Sequence, residues 1–282
     1  MKSSLLEEVT EQKDSVNVIH DSDSIAYLSV FRFLDTEDVE LMYADFWMRI
    51  KTIESEIWRE YEVDDVIISL TSRKNFRNDL TDDWKGNRKD KDEKELTEKQ
   101  IESQRKARDL SDYVAKLKRL LFERMSKSKQ YRVMVDSVQE SDDRMIDYMS
   151  NGWIGVSVDG DIHKQFPSGS RCFNNHKKHW CWIEANTDDD IFFHIIAETI
   201  SGGHNGNTGV KGKGKVYAAK FCKELEVGDK SFTDWIDLFP TPNEALLNYR
   251  LVSLDQVKNG KLRLITIEEL SEKFEMYCGD KF

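Results

Sequence analysis

VNVIHDSDSIAYLSVF, residues 16–31, decides the fold of this chain. A short β-branched run reaches a polar turn and continues with apolar residues at helical spacing, which predicts a strand feeding a helix. The same alternation recurs downstream. DVIISL (65–70), YRVMV (131–135) and WIGVSV (153–158) read as strands, and ESDDRMIDYMS (140–150) reads as a helix with an acidic first turn. Strands separated by helical stretches predict an α/β domain with a mainly parallel sheet, whose ligand site lies beyond the carboxyl ends of its strands.

Between the second and third strands lies a long polar insertion, DDWKGNRKDKDEKELTEKQIESQRKARDLSDYVAKLKRLLFERM. Its first half is almost pure charge. Its second half carries Leu110, Val114, Leu117 and Leu121 at the spacing of an amphipathic helix. A segment so poor in apolar residues gains order mainly when something binds it. After the fourth strand, SGSRCFNNHKKHWCWIE predicts a hairpin-like connection and DDDIFFHIIAETI a helix. Three further helical stretches follow, VYAAKFCKEL, FTDWIDLF and PNEALLNYRLVSL, the last opening at Pro242. There is no internal repeat and no low-complexity tail.

A length of 282 residues and 39% hydrophobic content suit one large domain with embellishments or two smaller ones. No run of about 18 apolar residues occurs, and MKSSLLEEVTEQKD lacks the apolar core of a signal peptide, so the expectation is a cytosolic protein. In that setting the four cysteines, Cys172, Cys181, Cys222 and Cys278, read as reduced thiols. The formal charge of -11 at first argues against nucleic acid. Its distribution argues the other way. Residues 84–130 hold fifteen Lys or Arg against nine Asp or Glu, and residues 209–223 hold five lysines and no acid. The remainder is strongly acidic, which suits carboxylates gathered around metal ions as well as ordinary solvated surface.

The acids fall at strand ends. Asp21 and Asp23 follow the first strand, Glu140, Asp142 and Asp143 the third, and Asp159 and Asp161 the fourth. Parallel strands bring such residues to one edge. Packed carboxylates repel one another and become favourable mainly around a hard cation such as Mg²⁺. Asp also serves as a helix cap or turn residue, so one pair alone has a plain structural reading. Recurrence at three strand ends favours a site.

These residues resemble motifs of the bacteriophage branch of the 5′→3′ exonuclease and flap endonuclease family, over residues 16–254. NFRNDLTDDWKGNRK (75–89) is similar to the segment in which an Asn-Phe-Arg-like stretch precedes an aromatic-Lys-x-Asn-Arg motif. ESDD resembles Glu-x-Asp-Asp, VSVDGD the Ser-x-Asp-x-Asp strand end, and GVKGKGK the Gly-hydrophobic-x-Gly-x-Gly turn of a helix-three-turn-helix element. LLNYRLVSL resembles the helix that commonly follows. The resemblance implies a PIN-like nuclease domain over residues 1–200, with residues 84–130 as a helical arch, and a DNA-binding helical region over 201–282. Asp21, Glu140, Asp142, Asp143, Asp159 and Asp161 would coordinate Mg²⁺ or Mn²⁺ directly or through water, with Asp23 as a neighbour. Two ions roughly 4 Å apart would activate water, orient the phosphate and stabilise the leaving oxygen. Lys85 and Arg88 would offset charge on the scissile phosphate, and Trp84 would stack on a terminal base. Gly209, Gly212 and Gly214 would let the backbone approach duplex DNA, with Lys211, Lys213 and Lys215 supplying attraction. Partners implied are DNA with free 5′ ends or 5′ flaps, and RNA primers on DNA during replication.

The chain departs from the family's Gly-Asp-x-x-Asp just before that turn. Gly203 and Gly206 stand where two metal-ligand aspartates are expected, and Ser72 stands where relatives often have Asp. The second metal site is therefore expected to be weakened, and the chain to be an attenuated or inactivated nuclease. Alternatives are a protein that grips branched DNA without cutting it, and a PIN-like ribonuclease. His204 is a candidate replacement ligand. A zinc reading of Cys172, His176, His179 and Cys181 fits no common finger spacing. His20 and His194 read as packed, and Trp47, Trp58, Trp153 and Trp235 as core.

Overall fold

The computed structural model describes residues 13–72, 75–81, 97–125, 128–136, 138–176, 180–202 and 207–278. Six strands form one sheet: β1 (Ser15–Asp21), β2 (Glu62–Thr71), β3 (Tyr131–Asp136), β4 (Ile154–Ser157), β5 (Cys172–Asn174) and β6 (Cys181–Ile183). Their order is β3-β2-β1-β4-β5-β6, parallel throughout except for the β5–β6 pair. The chain steps outward from β1 through β2 to β3, then returns to the other side of β1 as β4. The topological switch therefore lies between β1 and β4, where open α/β sheets form their ligand crevices.

Successive side chains of a strand point to opposite faces, so a strand covered on both sides is apolar almost throughout. Val18, Val66 and Ile68 pack against α1 (Asp23–Phe33), α2 (Val39–Ile57) and α4 (Glu98–Met125). Ile19 and Ile67 pack on the other face, with Met145, Ile146 and Met149 of α5 (Ser141–Met149) and Ile162 of α6 (Gly160–Gln165). A side chain at Gly155 in β4 would meet the Met149 sulfur at 2.4 Å. Its absence is what lets α5 lie close to the strand.

Val114, Leu117 and Leu121 of α4 are buried, as their helical spacing predicts. Short α3 (Phe76–Leu80) sits just past β2, and the predicted hairpin-like connection is the antiparallel β5–β6 pair. A third apolar cluster gathers α7 (Asp188–Ser201), α8 (Lys215–Glu226), α9 (Phe232–Ile236), α10 (Pro242–Val252) and α11 (Ile267–Cys278) around fully buried Trp235. The Trp235 indole N–H donates to Thr199 Oγ1 at 3.1 Å. Phe192, Ile195, Ile196 and Ile200 of α7 belong to this cluster, so its packing crosses residue 200. A small hairpin, β7 (Val257–Lys258) and β8 (Lys261–Leu262), leads into α11.

Of the four tryptophans expected in the core, only Trp235 is fully buried. Trp58 is 39% exposed, because it follows the C-terminal end of α2 rather than facing the sheet. Trp47 and Trp153 are only partly buried, packed against the rims of the two sheet-face cores. His20 is fully buried and its imidazole is pushed down to about 3 by burial, consistent with a packed, neutral ring. Burial likewise lowers His194 to about 4.

Candidate metal and nucleic-acid site

Asp21 is the last residue of β1 and lies in register with Ser69 of β2. It is buried, and its Oδ2 accepts a hydrogen bond from Ser157 Oγ at 3.1 Å, across from the end of β4. Its other oxygen, Oδ1, is buried without a hydrogen-bond partner. Ser157 Oγ also accepts from the Asp159 backbone N–H at 2.9 Å. One hydroxyl thus fixes a carboxylate on β1 and the backbone that carries another beyond β4. Asp159 caps α6 by accepting from Asp161 N–H at 2.7 Å.

Asp142 occupies the first turn of α5. A carboxylate at a helix N-terminus is locally favourable, but here neighbouring acids oppose its charge. Burial, followed by Asp21, Glu140 and Asp159, raises the Asp142 carboxyl well above its ordinary range. Burial first, with Asp23 and Asp159 adding to it, pushes Asp21 up to about 7. These shifts record carboxylates from separate strand ends crowded around one space. That space is a cleft of about 1190 Å³ lined by Asp21, Asp23, Glu140, Asp142, Asp159 and Asp161. α4 forms its opposite wall, where Phe122 and, on α1, Tyr27 present exposed rings.

Six of the acids singled out from sequence therefore meet in one cleft. Asp143 does not. It is fully buried in a bidentate ion pair with Arg77, at 2.6 and 2.7 Å, and accepts from Glu140 N–H at 3.2 Å. Arg77 also donates to the Leu251 and Ser253 carbonyls, at 3.3 and 2.9 Å, which ties α3, α5 and the end of α10 together. Glu140 faces the cleft while accepting from Asn75 Nδ2 at 3.0 Å. Ser72 also lines the cleft.

Three contributors escaped sequence reading. Ser157 and Arg77 lie inside motifs that carry the family resemblance, so their position is legible in the sequence but their partners are not. Lys118 carried no signal beyond its place on an amphipathic helix; it donates to Asp23 Oδ1 at 2.6 Å. Trp84, Lys85, Arg88, Gly203, His204 and Gly206 lie outside the described residues.

The Gly/Lys turn joins α7 to α8. Gly209 and Gly212 have φ of 62° and 76°, the left-handed region that favours glycine, whereas Gly214 has an ordinary extended backbone and caps α8. Lys211 and Lys215 are exposed, and Lys213 sits 4.0 Å over the Tyr217 ring. In the β5–β6 hairpin, burial pushes the Cys172 thiol up to about 12, while Cys181 is exposed. His179 lies outside the described residues. Among the described residues no His/Cys cluster there could hold zinc, and none of the four cysteines forms a disulfide.

Among the described residues, no three His, Cys, Asp or Glu side chains are close enough to enclose one ion. The cleft is an open acidic pocket rather than a cage. That still fits a hard divalent cation, because Mg²⁺ keeps several waters and takes only one or two carboxylates directly. The buried, unpartnered Asp21 oxygen and the carboxylates that line the cleft, alongside Lys116, Lys118 and Arg119 on its α4 side, are the features that suit it.

A mostly parallel sheet whose carboxyl edge gathers acids beneath a long helix has the fold of the phage 5′ nucleases. The bacteriophage T5 D15 protein co-crystallised with metal ions matches with a TM-score of 0.58 at 18% identity, over 85% of this chain and 89% of that one. T5 5′-exonuclease with bound zinc matches at 0.54 and 17% identity, over 94% and 99%. The T5 flap endonuclease in a pseudo-enzyme-product complex with DNA and metal ions matches at 0.56 and 17%, over 94% and 99%. No family model matches the chain, and no curated protein matches it.

Proposed function

We propose that this chain is a divalent-metal-dependent, structure-specific DNA 5′ nuclease acting on free 5′ ends and 5′ flaps, attenuated by Gly203 and Gly206. The observation that carries the reading is the convergence of Asp21, Asp142, Asp159 and their acidic neighbours on one cleft at the sheet's switch point. The T5 structures with metal ions and with DNA support it. Bound divalent ions, Mg²⁺ or Mn²⁺, would supply an activated water and charge stabilisation at the leaving oxygen.

The chain's own residues divide the remaining work. Asp21, held by Ser157, and Asp142 and Asp159 would hold the ions, with Glu140 and Asp161 reached through water. Lys85 and Arg88 would offset charge growing on the phosphate, and Trp84 would stack on a terminal base. Lys211, Lys213 and Lys215 would grip duplex DNA through its phosphates. RNA primers on DNA are a further substrate on this reading. A second reading, a protein that binds branched DNA without cutting, draws on the paired glycines at ligand positions.

A labelled 5′-flap substrate in Mg²⁺ or Mn²⁺ tests both. The nuclease reading expects slow cleavage by the natural chain, loss of it in D142N, and a gain of at least tenfold in G203D/G206D. Binding to the flap with no cleavage by the natural or the restored chain favours the second reading.

A further inference from the structure

Resting on the reading of this cleft as a divalent-metal site, we propose that Lys118 is a positioning residue that tunes metal uptake by holding Asp23 out of the ions' reach. The Lys118 ammonium donates to Asp23 Oδ1 at 2.6 Å and to the Thr71 carbonyl at 2.8 Å, joining α4, the start of α1 and the end of β2. Asp23 also accepts the Thr71 N–H at 3.1 and 3.2 Å. Both of its oxygens are thus occupied on the side facing β2, although it lines the same cleft as Asp21, Asp142 and Asp159.

Docking of α4 does not require this contact. Val114, Leu117 and Leu121 bury the helix against the sheet, so the ammonium's particular contribution is charge and direction. Lys118 offsets part of the negative charge that Asp23 directs at Asp21, whereas an unpaired Asp23 would act there undiminished. The contact also reaches the helix that carries Asp142. Thr71 Oγ1 accepts from the N–H of Ser141, the first residue of α5, at 3.0 Å.

The charge logic gives a signed pattern for Mn²⁺ binding by the whole chain, followed by titration calorimetry and by the loss of the free-ion paramagnetic resonance signal. K118M frees Asp23 and binds Mn²⁺ at least fivefold tighter. D23N leaves the ammonium to turn on the remaining carboxylates and binds more weakly. K118M/D23N returns to near the natural affinity, and K118R stays close to it. Melting in EDTA within a few degrees of the natural chain establishes that each variant is folded; K118Q removes the same charge if K118M does not fold. Unchanged or weaker Mn²⁺ binding by folded K118M, with the natural chain binding normally, overturns the role of Lys118 alone. Absence of Mn²⁺ binding in the natural chain and every variant overturns the metal reading and this inference with it.

Discussion

Single side chains fix the chemistry of the cleft through their partners. The folded chain holds the Asp21 carboxyl up to about 7, against 3.8 for an ordinary aspartate, through burial and then through Asp23 and Asp159. Between those pH values the folded state keeps a proton that the unfolded chain has released. Metal-free protein therefore loses stability as pH rises from about 4 to about 7, the stability being complete below the lower value. Asp142 adds to the loss in the same direction. Thermal melts in EDTA across this range should fall with pH, and D21N should flatten the slope; an unaltered slope would show that Asp21 is not the group responsible. Arg77 presents the opposite case, a fully buried cation paired with a fully buried Asp143. Removing one partner strands the other charge, so R77M should cost about 3–5 kcal/mol in chemical unfolding. A loss within 1 kcal/mol, roughly a surface pair's worth, would mean that the two charges are solvated.

Elements matter through where they end. The strands stop with Asp21, Thr71 and Ser157 at one edge, and helix starts then hold the acids, Asp142 in the first turn of α5 and Asp159 as the cap of α6. The turn from α7 to α8 is pinched at its neck. A Cβ on Gly209 would lie 2.4 Å from the Gly202 nitrogen, and the Gly209 φ is 62°. G209A should therefore destabilise the chain by about 2 kcal/mol or more, through left-handed strain plus backbone overlap. Urea unfolding measures it, and a change below about 0.5 kcal/mol would show that the neck can open freely. On the proposed function, the lysines beyond the neck would act additively through phosphate contacts. Alanine at 211, 213 and 215 together should lower the salt slope of duplex binding by up to about 3, at roughly 0.9 per contact. An unchanged slope would remove this turn from the DNA interface.

At the scale of the whole molecule, the acidic cleft is lined from strand ends and from α1, α4, α5 and α6, and binding there should stabilise the sheet domain that frames it. Free Mn²⁺ at 100 times its dissociation constant should raise folding stability by about 2.7 kcal/mol, EDTA should reverse the gain, and D142N or D159N should abolish most of it. Equal stabilisation of D142N and the natural chain would locate the ion elsewhere. The sequence by itself determined the parallel α/β alternation, because strand and helix periods are local and two-sided burial writes short β-branched runs into VNVIHD and DVIISL. It also determined which acids stand at strand ends, since that needs only element boundaries. α2 and α11 are hard to read from sequence because their apolar residues are diluted by charge, and only packing reveals which face they bury. Tertiary structure alone decided the partners: Asp143 turned to Arg77, Asp23 to Lys118 and Asp21 to Ser157. Each pairing spans dozens of residues along the chain. It is set by how burial, charge and hydrogen-bond geometry balance in space, which no local spacing encodes.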